Sequence, residues 1–407
     1  PVVGFPLYWL SGSPWVRGRR HQVQGRANAM LASTNEALPE VPPGAVASPA
    51  LASVITMNRR LTGLPCVTGA QAGLYGDTGE FFAALAEEID RAQKFVHLGS
   101  RKYPGRKQML RALTLGGVEW RYMMPIDPLR GRWRRPDLRN HRKLMVVDGE
   151  VAFVGSHNLI GVTYASPANA RIGREWKDLS MRLTGDAVAS VQSVFLTDWF
   201  TETQELLDPA VYLVDQPDLV PGGAANAMQV VPSGPGFPTE PNLRMFTSLV
   251  NQAVDRVAIT SPYFVPDESL LAAITSAAYR GVHVELFVGE KADQFLVGHA
   301  QRSYYRALLE AGVTINLYPA PTVMHGKYMT VDDTVGAIGS SNMDFRSFGL
   351  TYEIMLMGFG GDFVASLQAN DEKYRSRSRV LTLAEWDSQP WYVRYVDNVC
   401  RLTAALM

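Results

Sequence analysis

Two stretches of this sequence carry the same chemistry-bearing residues at the same spacing. Residues 141–158 read HRKLMVVDGEVAFVGSHN, and residues 325–342 read HGKYMTVDDTVGAIGSSN. Both fit H-x-K-x4-D-x6-G-S-x-N, offset by 184 residues from end to end. Six fixed residue types at fixed spacing arise by chance on the order of once in 10^7 starting points, so the second copy marks a duplication. In H-x-K the two side chains are two residues apart, and on a strand they share a face. His141 with Lys143, and His325 with Lys327, each set an imidazole beside an ammonium. Residues 146–151 (VVDGEV) read as strand, D-G turn and strand. Gly155 and Gly339 allow close backbone approach, and Ser156, Asn158, Ser340 and Asn342 supply neutral hydrogen-bond donors for a phosphate. Asp148 and Asp332 complete the catalytic motif, although their place at the turn suits holding that turn better than touching substrate.

Two such units face to face would gather two imidazoles, two ammoniums and several neutral donors around one spot, a receptor for a single phosphodiester. One histidine, neutral, attacks phosphorus. The opposite one, protonated, donates to the leaving oxygen and then takes the proton of the incoming hydroxyl. The lysines stabilise charge on the equatorial oxygens. This chemistry needs no metal and no cofactor, and the sequence offers no carboxylate cluster to hold a metal. A carboxylate behind each imidazole would fix its tautomer. Glu353, 28 residues after His325, is the candidate behind His325; Asp178, 37 residues after His141, is the candidate behind His141. Either acid could instead be an ordinary surface charge.

The elements that must position these residues alternate between helix and strand. Leu243, Phe246, Leu249, Val250 and Val254 form a helical stripe, followed by a strand at Val257–Thr260, a helix at 270–278, a strand at Val282–Val288, a helix at 304–309 and a strand at Val313–Tyr318. The first half repeats this more briefly: a helix with Phe81, Phe82, Leu85 and Ile89, a strand around Phe95–His97, a helix at Met109–Leu115 and a strand at Val118–Met123. The pattern predicts an α/β fold of two pseudo-symmetric halves, each a mixed sheet flanked by helices, with the active site at the interface between halves. The expected division is an N-terminal segment and linker at 1–60, a first domain at 61–215 and a second at 216–407. Arg256 to Gly312 spans 56 residues, whereas Lys94 to Gly117 spans 23. The first half therefore lacks about one helix and one strand, with the junction near His97–Leu98. Either this half is abbreviated, or the sequence skips a stretch there; unpaired sheet edges favour the second.

Composition bounds the partners. The 407 residues carry 39 Lys+Arg and 39 Asp+Glu, so phosphate affinity must come from local clusters and not from a bulk field. Cys66 and Cys400 cannot build a disulfide framework or a zinc site. Val2–Leu10 is an apolar run with aromatics near its end, followed by Arg17, Arg19 and Arg20. That order fits the cytoplasmic end of a membrane helix, the alternative being a short packed helix or a loose terminus. Residues 35–50 read as a linker. The loop Arg130–Lys143 is an insertion of the first half, rich in arginine around Trp133. Arg132, Arg134 and Arg135 are candidates for anionic lipid headgroups, against the plainer reading of a solvated charge run. His21, His97, His157, His283 and His299 read as structural or surface residues.

The duplicated motif resembles that of the phospholipase D superfamily, and RNHRKLMVVDG, VVPSGPGFPTEPN, ITSPYFVPDESLL and MHGKYMTVDD followed by GSSNMDFRSF resemble bacterial cardiolipin synthases. The resemblance covers nearly everything from about 60 to 368. It implies two phospholipase D-like halves and transfer of a phosphatidyl group from one phosphatidylglycerol to the terminal hydroxyl of another, releasing glycerol through a phosphohistidine. It implies His141 as nucleophile and His325 as general acid. It also implies anionic phospholipid and a membrane surface as partners, not nucleic acid, with the catalytic halves on the cytoplasmic side of a bacterial membrane. Competing readings are a phosphodiesterase or nuclease on the same scaffold, with the arginine loop gripping nucleic acid, and an inactive membrane-binding scaffold. The sequence does not fix the oligomeric state.

Overall fold

The computed structural model describes residues 48–99, 106–124, 138–213 and 226–402, with isolated positions before residue 48. In the first half these form helix α1 (Pro49–Thr62), strand β1 (Cys66–Tyr75), helix α2 (Thr78–Arg91), strand β2 (Val96–Gly99), helix α3 (Arg106–Leu115), strands β3 (Leu144–Val147), β4 (Val151–Gly155) and β5 (Ser180–Thr184), and helix α4 (Ala187–Thr203). The second half holds β6 (Asn226–Ser233), α5 (Pro241–Gln252), β7 (Arg256–Thr260), α6 (Glu268–Tyr279), β8 (His283–Gly289), α7 (Phe295–Arg302), α8 (Tyr305–Ala311) and β9 (Thr314–Tyr318). It continues with β10 (Tyr328–Val331), β11 (Val335–Gly339), β12 (Thr351–Phe359), α9 (Gly361–Arg375), β13 (Arg379–Leu381) and α10 (Trp391–Arg401).

One sheet runs through both halves in the order β13-β9-β8-β7-β10-β11-β12-β6-β1-β5-β4-β3-β2. The pseudo-twofold passes between β6 and β1, which pair antiparallel from Cys66↔Gln229 to Gly69↔Asn226. Reading outward, β1-β5-β4-β3-β2 repeats β6-β12-β11-β10-β7. The junction is buried from both sides. Val146, Val154, Met181 and Leu183 of the first half share one apolar cluster with Met228, Val230, Ile354 and Leu356 of the second. Such a core is not divisible without exposing apolar surface at roughly 25 cal/mol per Å².

The segment expected to be a linker up to residue 60 ends differently. Ser48 caps α1, and Leu51, Val54 and Ile55 enter the core of the second half beside Phe246 and Leu249. The expected strand at Val118–Met123 is absent, and Val118 is half exposed. The physical reason lies in its counterpart. β9 exists by pairing with β8, Glu285↔Thr314 to Gly289↔Tyr318. The first half has no element equivalent to α6 and β8 among the described residues, so residues 118–123 have no ladder to join. β2 is consequently the last strand of the sheet, with Val96 and Leu98 exposed on it. Among the described residues no helix is long and apolar enough to cross a membrane. Residues 1–21, with the apolar-then-basic start, lie outside the described residues, as do Arg132, Trp133, Arg134 and Arg135.

Candidate active site

Each H-x-K sits in extended chain just ahead of its strand, not on it. The motif's aspartates explain why the hairpin behind it is rigid. Asp148 (φ 54°) and Asp332 (φ 49°) open the turns β3–β4 and β10–β11. The Asp148 carboxylate accepts the N–H groups of Gln93, Lys94 and Phe95 at 2.7, 2.8 and 2.8 Å. Asp332 accepts those of Val254, Asp255 and Arg256 at 3.2, 2.8 and 2.8 Å. Burial works to raise the Asp148 pKa, but the three amide donors hold it below the usual carboxylate range. Both acids staple the hairpin to the start of the neighbouring strand. Neither belongs to the catalytic set in which the motif had placed them.

The orienting acids are exchanged between the halves. His141 Nδ1 lies 3.0 Å from Glu353 Oε1, and His325 Nδ1 lies 2.5 Å from Asp178 Oδ1. The expectation paired Glu353 with His325 and Asp178 with His141; the structure pairs each histidine with the acid of the opposite half. Short parallel bridges set this register. Arg139–Asn140 pairs with Thr351–Tyr352, so that His141 N–H donates to the Tyr352 carbonyl at 2.9 Å and Glu353 comes next. Val323–Met324 pairs with Trp176–Lys177, so that His325 N–H donates to the Lys177 carbonyl at 2.8 Å and Asp178 comes next.

The serines back these acids. Ser156 Oγ donates to Asp178 at 2.7 Å and accepts Leu179 N–H at 2.9 Å. Ser340 Oγ donates to Glu353 at 2.5 Å and accepts Ile354 N–H at 3.0 Å. Their hydroxyls are committed to the carboxylates, so Ser156 and Ser340 are not the phosphate donors they were expected to be. The Asn158 amide donates to the Tyr164 phenol at 2.6 Å, and the Asn342 amide hydrogen-bonds Asp344. Gly155 and Gly339 are required by this packing. A Cβ on Gly155 would stand 2.4 Å from Ser180 Cα, and one on Gly339 would stand 2.1 Å from the Ile354 carbonyl oxygen.

Lys143 and Lys327 are buried and fold back so that each Nζ donates to the carbonyl of its own histidine, at 2.6 and 2.7 Å. Burial pushes Lys327 down to about 8. It also pushes Glu353 up to about 7, with Lys143 pulling the other way. Burial and the Lys327 charge lower His325 to about 4, which favours its neutral imidazole. Burial opposes charge on Asp178, but the adjoining His325 outweighs it and holds the carboxyl low. The charges of Lys143 and Lys327 both act on Glu353, and Lys143 acts on His325. The two motifs thus share one electrostatic centre.

Sequence reasoning missed Arg142. Within the arginine-rich run it is buried, donating from Nε to the Glu353 carbonyl at 3.0 Å and pairing with Asp198, its guanidinium 5.1 Å from the Tyr352 ring. The second motif has Gly326 there, a difference visible in the sequence. Tyr164, at φ 55°, brings its ring to 6.2 Å from His325, edge-on. His157 stacks on Phe81 with ring centres 4.1 Å apart and bonds Ser180, and His97 stacks on Phe195; both are structural. Among the described residues no group of three or more His, Cys, Asp or Glu could hold a metal ion.

Two H-x-K motifs brought to one centre across a pseudo-twofold, each histidine backed by an acid of the other half, define a phospholipase D-like protein with both motifs in one chain. The fold agrees. The crystal structure of phosphatidylserine synthase from Haemophilus influenzae Rd KW20 superposes with a TM-score of 0.58 at 17% identity, over 86% of this chain and 99% of that one. The family model described as cardiolipin synthase, PLD-like domain, matches residues 246–373. The cardiolipin synthase of Geobacillus thermodenitrificans is 30% identical over 449 residues, covering 100% of this chain and 86% of the relative. That of Halalkalibacterium halodurans is 33% identical over 321 residues, 77% of this chain and 61% of the relative. Cardiolipin synthase A of Serratia proteamaculans is 35% identical over 302 residues, 73% and 59%. The chain belongs to the cardiolipin synthase family, and it spans about three fifths of the length of two of these relatives.

Proposed function

We propose that this chain transfers a phosphatidyl group between two phosphatidylglycerol molecules, giving cardiolipin and glycerol. The observation that carries the reading is the crossed pair of histidine–carboxylate contacts, with a buried lysine two residues after each histidine. Glu353 holds His141 through Nδ1, so Nε2 is the attacking atom. Nε2 bonds to phosphorus while the bond to the glycerol oxygen of the first lipid breaks, and that oxygen takes the proton of His325. The terminal hydroxyl of the second lipid then attacks phosphorus, returns its proton to His325 and releases His141. Lys143 and Lys327 offset charge on the phosphoryl oxygens throughout. Burial and Lys327 hold His325 down at about 4, and the negative charge of a phosphodiester beside it raises its pKa and loads it with the proton it must give. Phosphate contacts from Asn158 and Asn342, and headgroup contacts from Arg132, Arg134 and Arg135, belong to this proposal, as does work at the cytoplasmic face of a bacterial membrane.

One phosphodiester replaces another, so the reaction lies near thermoneutral and requires no nucleotide. Incubation with phosphatidylglycerol vesicles, with lipids read by mass spectrometry, should give diphosphatidyl lipid and free glycerol, and excess glycerol should reverse it. Indifference to glycerol would exclude phosphatidylglycerol as the donor. Cutting of single-stranded DNA with no new diphosphatidyl lipid would replace the proposal with the nuclease reading.

A further inference from the structure

Three neighbouring strands of the second half run parallel. β8 pairs with β7 from His283↔Arg256 to Phe287↔Thr260 and with β9 from Glu285↔Thr314 to Gly289↔Tyr318. Ligands of α/β sheets meet the carboxyl ends of such strands. The chain leaving β7 carries Tyr263, that leaving β8 carries Asp293, and that leaving β9 carries His325. Local contacts bring the three together. Phe264–Val265 pairs parallel with Met343–Asp344, which sets Tyr263 beside Asn342 of the second motif. A Cβ on Gly289, at the end of β8, would stand 3.9 Å from the Met324 nitrogen, next to His325. The Tyr263 phenol donates to the Asp293 carboxylate at 3.1 Å and accepts from the Gln294 amide at 2.8 Å. The Asp293 charge also acts on Lys327.

Tyr164 of the first half faces this group. Its ring is edge-on to His325, its phenol accepts from Asn158, and it acts electrostatically on Tyr263. Tyr164 and Ala165 both hold left-handed backbone, φ 55° and 52°, a conformation that L-residues keep where the surrounding structure imposes it. Trp176 braces the Tyr164 ring at 4.5 Å. Tyr164, Tyr263 and Asp293 are half-buried, so a ligand can reach them. Among the described residues Asp293 has no ion-pair partner. One phenolic proton serves both of its oxygens, which leaves the carboxylate able to accept further hydrogen bonds. The first half has no strand equivalent to β8 among the described residues, and so no matching acid beside His141.

We propose that Asp293, held by Tyr263, binds the glycerol headgroup at His325, its carboxylate accepting the hydroxyl groups that do not exchange at phosphorus. The inference rests on the phosphatidyl-transfer reading, in which the glycerol oxygen leaves toward His325 and the acceptor hydroxyl arrives beside it. A neutral polyol suits the place: the carboxylate repels a second phosphate, and the charges of Lys143 and Lys327 oppose an ammonium. The test gives the full chain a phosphatidyl ester of p-nitrophenol with equal glycerol and 1-propanol, and reads both phosphatidyl alcohols by mass spectrometry. Both products come from one covalent intermediate, so their ratio does not depend on how much protein is folded. Wild type should favour glycerol. Asp293→Asn should lower the glycerol-to-propanol ratio about tenfold, as expected for one hydrogen bond to a charged group. Tyr263→Phe, which leaves Asp293 unheld, should lower it several-fold, and it decides the matter if Asp293→Asn does not fold. An unchanged ratio in a variant that still transfers to both alcohols overturns the subsite and leaves the transfer reading standing. Ethanolamine used in preference to glycerol by wild type would mark an ammonium site and overturn the polyol assignment. Wild type that yields only phosphatidic acid sinks the transfer reading, and the subsite with it.

Discussion

Glu353 and Asp178 are exchanged between halves, and this has a kinetic signature that an unexchanged arrangement could not produce. In Glu353→Gln the carboxylate 3.0 Å from His141 becomes neutral with little change of shape. When His141 attacks phosphorus its ring becomes cationic. At 3.0 Å and an effective dielectric of 20, the lost attraction is about 5.5 kcal/mol. The two side chains are 14% and 1% exposed, so solvent screens this little. At 1.36 kcal/mol per decade the first step should slow by about four decades, similar to the roughly 10^4 lost when a triad carboxylate is neutralised. The assay uses a phosphatidyl ester of p-nitrophenol, whose leaving group needs no general acid. H141A and E353Q should then show no burst of p-nitrophenol and no labelled protein. H325A and D178N should show a burst of about one equivalent and a trapped phosphatidyl-enzyme, because attack of the acceptor hydroxyl on the phosphohistidine requires the second histidine as base. A burst in E353Q with none in D178N would refute the exchange and restore the pairing within each half.

The pH profile of kcat/KM should be a narrow bell. Glu353, pushed up to about 7, must lose its proton, so activity rises through that pH; Lys327, pushed down to about 8, must keep its proton, so activity falls above it. A profile flat from about pH 6 to 9 would contradict both assignments. Binding of inorganic phosphate near pH 6 should be accompanied by proton uptake in wild type and by less in H325A, measured by calorimetry in buffers of different ionisation enthalpy, because burial and Lys327 hold His325 at about 4 and a bound anion raises it. Gly155→Ala and Gly339→Ala should each cost about 1–3 kcal/mol in denaturant unfolding, since their Cβ atoms meet backbone. Arg142→Ala removes a buried cation from Asp198 and from the Glu353 carbonyl and should cost about 3–5 kcal/mol; an unchanged midpoint would return Arg142 to the solvated charge run.

The duplication was legible because it is local: six residue types within eighteen positions, twice, with a strand–turn–strand behind them. The helix and strand alternation of the second half was legible for the same reason, since 3.6 and 2.0 periodicities are written along the chain. The exchange of acids was not. Spacing after His325 suggested Glu353, but the partner of a side chain is set by which strand lies beside it. Here that strand comes from the other half through bridges only two residues long. The missing strand at 118–123 failed for a related reason. Val118 to Met123 has an acceptable strand composition, yet a strand requires a neighbour, and among the described residues the first half has none for it. Ser156 and Ser340 misled because a hydroxyl next to a catalytic strand serves a phosphate or a carboxylate equally well until distances are known. Arg142 could have been noticed: it replaces Gly326 of the second motif, and an extra guanidinium beside a catalytic lysine needs anions to hold it.

Exchange of the acids also gives the duplication a reason to remain in one sheet. A half on its own would hold a histidine with no carboxylate and a carboxylate with no histidine. The β6–β1 pairing and the shared apolar cluster therefore do more than join two domains; they complete both relays at once. Symmetry then ends where the roles must differ. Glu353 is lifted toward neutrality while Asp178 is held low, Arg142 faces Gly326, and Tyr164 stands beside His325 with no equivalent tyrosine six residues past Asn342. A nucleophile and a general acid need different proton affinities from the same ring, and a duplicated motif can supply them only through residues outside the motif.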